Sequence, residues 1–79
     1  MRKFARFVKE FYTVYLPTAP KGLRHGQSLM NFLYKFDEEE YKRIASINYY
    51  DRTDIDCFYV DELIGNTLVH LLDVWRKEE

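Results

Sequence analysis

The amino-acid sequence predicts an all-α fold, a compact single domain of four short helices over residues 1–79. Three observations point there. Apolar residues recur at three- and four-residue steps in four stretches, the mark of helices that bury one face. The breaks between those stretches are short and carry helix stop and start residues, notably Pro17, Asp37 and Asp61. The chain is 47% hydrophobic and 18% aromatic in 79 residues, so its large side chains can fill the core of a domain too small to bury many residues.

The elements follow in order. Phe4, Phe7, Val8, Phe11, Val14 and Tyr15 define an amphipathic helix over residues 2–16, with Arg2, Lys3, Arg6, Lys9 and Glu10 opposite. Pro17 ends it, because its ring disfavours helical geometry at the residue before it. Thr18 caps a second helix over about 20–36, with Pro20 allowed in its first turn. Leu23, Gly26, Met30, Leu33 and Phe36 face inward there. Gly22 and Gly26 weaken this helix by roughly 1 kcal/mol each, and Gly26 permits close contact with a neighbouring helix. Asp37 caps a third helix over about 38–47, with Glu38, Glu39 and Glu40 in the first turn, where the helix dipole favours acids. Tyr41, Ile44, Ala45 and Ile47 face its core side. Residues 48–54 have no period and many turn formers and read as a loop. Residues 55–60 read as a short extended piece or a tight turn. A last helix, about 62–77 and capped by Asp61, carries the stripe Ile64, Leu68, Leu71 and Trp75.

Composition excludes several classes. Three Gly and two Pro do not make a linker or a low-complexity chain. One Cys excludes a disulfide scaffold and a multi-cysteine zinc module, and Cys57 is expected to be a free thiol in a reducing compartment. No stretch has the unbroken apolar run of an export signal or a spanning helix. The expected location is the cytoplasm of a bacterial host, the host following from the resemblance given below.

The net charge of −1 conceals an asymmetry: residues 1–36 carry +6 and residues 37–79 carry −7. Three readings stand. The two halves pack together and screen each other at the surface, as solvated charge blocks usually do. Or Arg2, Arg6, Lys9, Lys21, Arg24 and Lys35 form a basic face for nucleic acid or another acidic partner. Or the acidic half meets a basic site on another protein. No nucleic-acid motif supports the second, and the aromatics among the basic residues fall at core spacing.

Two segments carry a resemblance. Arg24-His25-Gly26-Gln27-Ser28-Leu29-Met30-Asn31-Phe32-Leu33 reads R-x-G-Q-x-x-x-N-x-L, and Asp54-Ile55-Asp56-Cys57-Phe58-Tyr59 is followed by Asp61, Ile64 and Leu68. With Ile44 between them, over about 24–72, they resemble a widespread family of small uncharacterised phage, prophage and bacterial proteins. Cys57 and Gly65 stand where that family often has Pro. The resemblance implies a phage-type accessory protein and brings no catalytic activity with it.

Physically, Arg24, Gln27 and Asn31 share one helix face. We expect a structural polar network in which Arg24 pairs with Asp54 or Asp56. Gln27 and Asn31 bond the backbone near Cys57–Tyr59, while Phe58 and Tyr59 anchor the loop to the core. Such bonds satisfy groups that cost about 1–3 kcal/mol each if left unpaired when buried.

Catalytic and metal motifs are not found. His25, His70 and Cys57 do not form a nucleophile–base pattern readable from spacing, and a lone Cys among aromatics is usually a small core residue. His70, one position off the helix stripe, is expected to be half exposed or bonded locally. Counted from Asp51, a calcium loop would place Glu62 correctly but lacks the Gly at its sixth position, so no metal and no cofactor are expected. The first helix is basic and aromatic like a membrane-surface helix, but so is any helix over a small core, and no membrane partner is expected.

The expected function is therefore non-enzymatic: contact with a host protein, inhibiting or redirecting it. The contact residues are Arg2, Arg6, Lys9 and Tyr12 on the first helix, then Tyr49, Tyr50, Asp51 and Arg52 in the loop, since exposed Tyr and Arg are common interface anchors. The alternative is a small nucleic-acid-binding protein using the basic half. A homodimer completing its core with a second copy is also open.

Overall fold

A computed structural model describes residues 2–46 and 54–78 of the chain. Among the described residues it is all-helical, with four helices and no strand. Helix α1 spans residues 2–18 as three continuous parts: α-helical Arg2–Glu10, a wide π-turn Phe11–Tyr15, and α-helical Leu16–Thr18. Helix α2 is His25–Phe36 and α3 is Glu38–Ala45. A 3-10 turn, Asp61–Leu63, leads into α4, Ile64–Glu78. Phe7, Phe11, Leu29, Leu33, Leu71 and Trp75 are fully buried where α1, α2 and α4 meet.

Pro17 does not end α1 as the sequence suggests. In an ordinary helix its ring would press on the carbonyl of Thr13 and its missing N–H would leave that carbonyl bare. The wide turn instead bonds Leu16 N to Phe11 O, five residues back, which opens the ladder ahead of the ring. The Thr13 hydroxyl donates to Lys9 O (2.6 Å) within the same stretch. The shift of phase turns Val14 to solvent, although helical periodicity assigns it to the core face.

Thr18 also departs from expectation. Its hydroxyl donates backwards to Val14 O (3.0 Å) and Tyr15 O (3.1 Å), closing α1 rather than capping α2. Helix α2 accordingly begins at His25, not near residue 20, after a turn in which Gly22 takes the left-handed φ of 96°. Arg24 supplies no side-chain cap to α2. The cap comes from Asp61, whose Oδ1 accepts from Gly26 N at 3.0 Å. Asp61 was expected to cap its own helix; it reaches back 35 residues instead. Gly26 does mediate a close approach, but to the backbone carbonyl of Cys57 and not to a helix; a Cβ there would collide with that carbonyl.

Asp37 caps α3 as expected, accepting from Glu40 N at 3.2 Å. Its other oxygen accepts from Lys3 Nζ (2.8 Å) and Trp75 Nε1 (3.1 Å), so one carboxylate joins α1, α3 and α4. Partial burial opposes ionisation of Asp37, but these hydrogen bonds outweigh it and hold the carboxyl below its ordinary value. Burial likewise works against the charge on Lys3, and its bonds to Asp37 and Glu78 prevail, raising it above the ordinary lysine value.

Two positions in α3 differ from the sequence reading. Ala45 is exposed, and Glu40 is fully buried rather than a solvated first-turn acid. Glu40 Oε2 lies 2.9 Å from His70 Nε2, and Glu40 Oε1 accepts from Arg43 (2.9 Å). His70 is thus not half exposed: its side chain is 8% exposed and it meets a partner 30 residues away. Ile47 lies outside the described residues.

Candidate functional site

The segment 54–60 is a tight turn pinned from both sides. Ile55 and Cys57 are buried. Thr67 Oγ1 donates to Ile55 O (2.7 Å), and Asn66 Nδ2 donates to Asp54 O (3.1 Å). Cys57 Sγ donates to Gly26 O at 3.5 Å, and Val60 N closes the turn on Cys57 O. Asp56 Oδ1 accepts from Phe58 N (2.9 Å), the side-chain turn that Asp forms two residues ahead of itself.

This differs from the expected network. Asp56 serves its own turn, and the Arg24 guanidinium lies over the Tyr59 ring at 6.0 Å. Asp54 contributes its carbonyl to Asn66. Among the described residues, Gln27 and Asn31 form no hydrogen bond to the Cys57–Tyr59 backbone; Thr67, Asn66 and Asp61 hold the segment in their place. The core anchors are Ile55 and Cys57. Phe58 is half-buried and packs against the core as expected, whereas Tyr59 is 76% exposed despite standing on a firmly held turn.

A ridge runs from this turn to α1. The Tyr12 ring meets His25 edge-on at 5.4 Å, His25 adjoins Arg24, and Arg24 covers Tyr59. Tyr12 is 39% exposed. Lys9 stands one turn before Tyr12 on α1, and Lys21 precedes Arg24 in the connection. Beyond Tyr59 a groove of about 200 Å³ is lined by Met30, Tyr41, Ala45, Asp56 and Phe58. Ring edges, cations and a groove of mixed polarity therefore lie side by side, as at protein interfaces.

The other expected contact residues are spread out. Arg2, Arg6 and Lys9 are all exposed on α1. Arg6 pairs with Glu10 (3.5 Å) and lies over the Phe36 ring (4.9 Å). Tyr49, Tyr50, Asp51 and Arg52 lie outside the described residues. Tyr59 was missed because D-x-D-x-F-Y reads as an anchoring motif. The usable signal was Asp56, whose carboxylate accepts from Phe58 N and so fixes the turn that carries Tyr59, its ring edge-on to that of Phe58 at 4.7 Å.

The charge asymmetry resolves in part. Lys3 bonds the acidic half through Asp37 and Glu78. Other acidic-half pairs, such as Lys42–Glu38 and Lys77–Asp73, are local. Lys9, Lys21, Arg24 and Lys35 have no carboxylate partner among the described residues; Arg24 and Lys35 instead lie over the rings of Tyr59 and Tyr15.

The Cys57 thiol is buried, and burial pushes its pKa up, which keeps it protonated and unreactive. His25 Nε2 is buried without a hydrogen-bond partner, and its ring packs against those of Phe11 and Tyr12. Among the described residues no group of three or more His, Cys, Asp or Glu side chains could hold a metal ion, and no helix is long and apolar enough to cross a membrane.

No family model, curated protein or solved structure matches the chain.

Proposed function

We propose that the protein acts by protein–protein contact, without catalysis, through the ridge Tyr12–His25–Arg24–Tyr59. The observation that carries this reading is Tyr59: a large aromatic exposed on a turn held by at least five hydrogen bonds. Exposing a fixed aromatic forgoes about 1.5–3 kcal/mol of burial, the range for a large apolar side chain. A partner recovers it without ordering a flexible loop. The resemblance of residues 24–72 to small phage-type proteins is the ground for a finer proposal, an accessory protein that inhibits or redirects a host protein.

The test is a pull-down from bacterial lysate with the native chain and with Tyr59→Ser and Arg24→Ala. A retained protein that both substitutions release supports the reading. Retention unaffected by either overturns it.

A second reading, nucleic-acid binding, has one observation in its favour: Lys9, Lys21, Arg24 and Lys35 are not neutralised by described carboxylates. Asp56, which lines the same groove as Tyr59, opposes it, since it would repel phosphates approaching that ring. Salt-dependent retention of single-stranded DNA or RNA would favour it, with affinity falling steeply as salt rises.

A further inference from the structure

Three of the side chains that line the groove beside Tyr59 are aromatic: Tyr41, Phe58 and Tyr59 itself. Ring contacts brace them. Phe58 and Tyr59 meet edge-on at 4.7 Å, and Tyr41 meets Tyr34 edge-on at 5.2 Å. Met30, also in the lining, is fully buried. The described lining carries one charge, the carboxylate of Asp56. Its Oδ1 accepts from Phe58 N at 2.9 Å, which fixes the group in its turn, and its Oδ2 has no partner among the described residues.

This lining suits an organic cation. The face of an aromatic ring is electrically negative and attracts a cation within about 6 Å of its centre. The chain shows that attraction at one of these rings, where Arg24 lies over Tyr59 at 6.0 Å without itself lining the groove. Asp56 adds a full negative charge, and no cation in the described lining neutralises it. The groove holds about 200 Å³, and roughly 150 Å³ suffices for benzene, so the end of an alkylammonium chain fits. The single open acceptor then selects between the two cationic side chains. A guanidinium binds best through two parallel bonds to both carboxylate oxygens, and Asp56 Oδ1 is committed to Phe58 N. An ammonium is a compact point donor and needs only one oxygen. We propose that the groove receives the ammonium end of a lysine side chain from a protein partner, with Tyr41, Phe58 and Tyr59 around the cation and Asp56 Oδ2 accepting its hydrogen bond. This rests on the reading of the Tyr59 ridge as a contact surface, and names the residue by which the partner anchors there.

Amide NMR spectra of the full chain, titrated with Nα-acetyl-lysine methylamide, test it. The norleucine and arginine derivatives of the same form are the controls. The lysine derivative should shift the amides of Tyr41, Asp56, Phe58 and Tyr59 saturably. The uncharged norleucine derivative should bind about tenfold more weakly, and the arginine derivative more weakly than lysine. Asp56→Asn keeps an oxygen to accept from Phe58 N and removes only the charge. Its spectrum should match the native one away from the groove, which controls for folding, while its affinity for the lysine derivative should fall about tenfold. Tyr41→Leu removes one wall and should weaken binding as well. Absence of saturable shifts overturns the proposal, as does norleucine binding equal to lysine, a preference for arginine, or native affinity in Asp56→Asn. A lysate partner released by Tyr59→Ser but held unchanged by Asp56→Asn overturns the lysine site alone and leaves the contact surface standing. Lysine bound in the groove while the ridge retains no lysate protein overturns the contact surface and leaves the groove's ligand standing.

Discussion

Asp61 closes the start of α2 from the far side of the sequence, its carboxylate oxygen 3.0 Å from the amide of Gly26. The same amide belongs to the residue that packs on the Cys57 carbonyl, so cap and close approach share one position. Helix α2 carries no side-chain cap of its own.

Glycine substitutions should therefore behave oppositely at two positions. Gly26→Ala forces a methyl into the backbone of Cys57 and should cost about 3 kcal/mol, the upper end of overpacking. Gly65→Ala, near the start of α4, meets nothing within 4 Å and should stabilise by about 0.5 kcal/mol through helix propensity. Thermal denaturation of the two variants checks both signs.

Asp37 sets the acid limit of the fold. Its folded pKa lies below its ordinary value of 3.8, so the unfolded chain binds the proton more readily. The stability it supplies is present above that ordinary value and is lost as pH falls through the lower folded value. Lys3 works in the opposite direction: raised above 10.5, it contributes below that value and the contribution fades as pH climbs through the folded one. Asp37→Asn should lower stability at neutral pH and flatten the loss below pH ~4 in urea titrations.

The Glu40–His70 pair is a second sensitive point. His70→Ala removes a partner from a fully buried carboxylate and should cost about 3 kcal/mol. The double variant E40M/H70L fills the space with apolar atoms and should recover most of the loss. Recovery of none would show that the pair contributes more than its own desolvation costs.

His25 offers the reverse case. Its Nε2 is buried without a partner, and its ring packs against two aromatic rings. His25→Phe keeps the ring contacts and removes the unsatisfied atom, so the variant should gain about 1 kcal/mol. A loss of stability in equilibrium unfolding would refute this.

The helices were legible because their apolar spacing is a local property, and so was the Asp37 cap, since the residue and the amide it serves are three apart. Asp61 and Glu40 were not. Asp61 looks locally like the cap of its own helix and Glu40 like a first-turn acid, and their partners, Gly26 and His70, are chosen by how helices pack. Pro17 misled for a similar reason: the rule that proline stops a helix assumes an i to i−4 ladder, and the π-turn changes the ladder. Arg24 was expected to pair with Asp54 or Asp56, but it lies over the Tyr59 ring, and Asp56 accepts from Phe58 N. Tyr59 was misjudged because its direction depends on that same turn.

The carboxylate shared by Lys3, Glu40 and Trp75 has a kinetic meaning. These groups stand near one end of α1, at the start of α3 and near the end of α4, so none of the three segments can loosen without disturbing that junction. Amide hydrogens in Phe4–Phe7, in the first turn of α3 and around Trp75 should then exchange with solvent through one common opening, at matched rates. Asp37→Asn should speed all three together while leaving the 55–60 turn, pinned separately by Thr67, at its native rate.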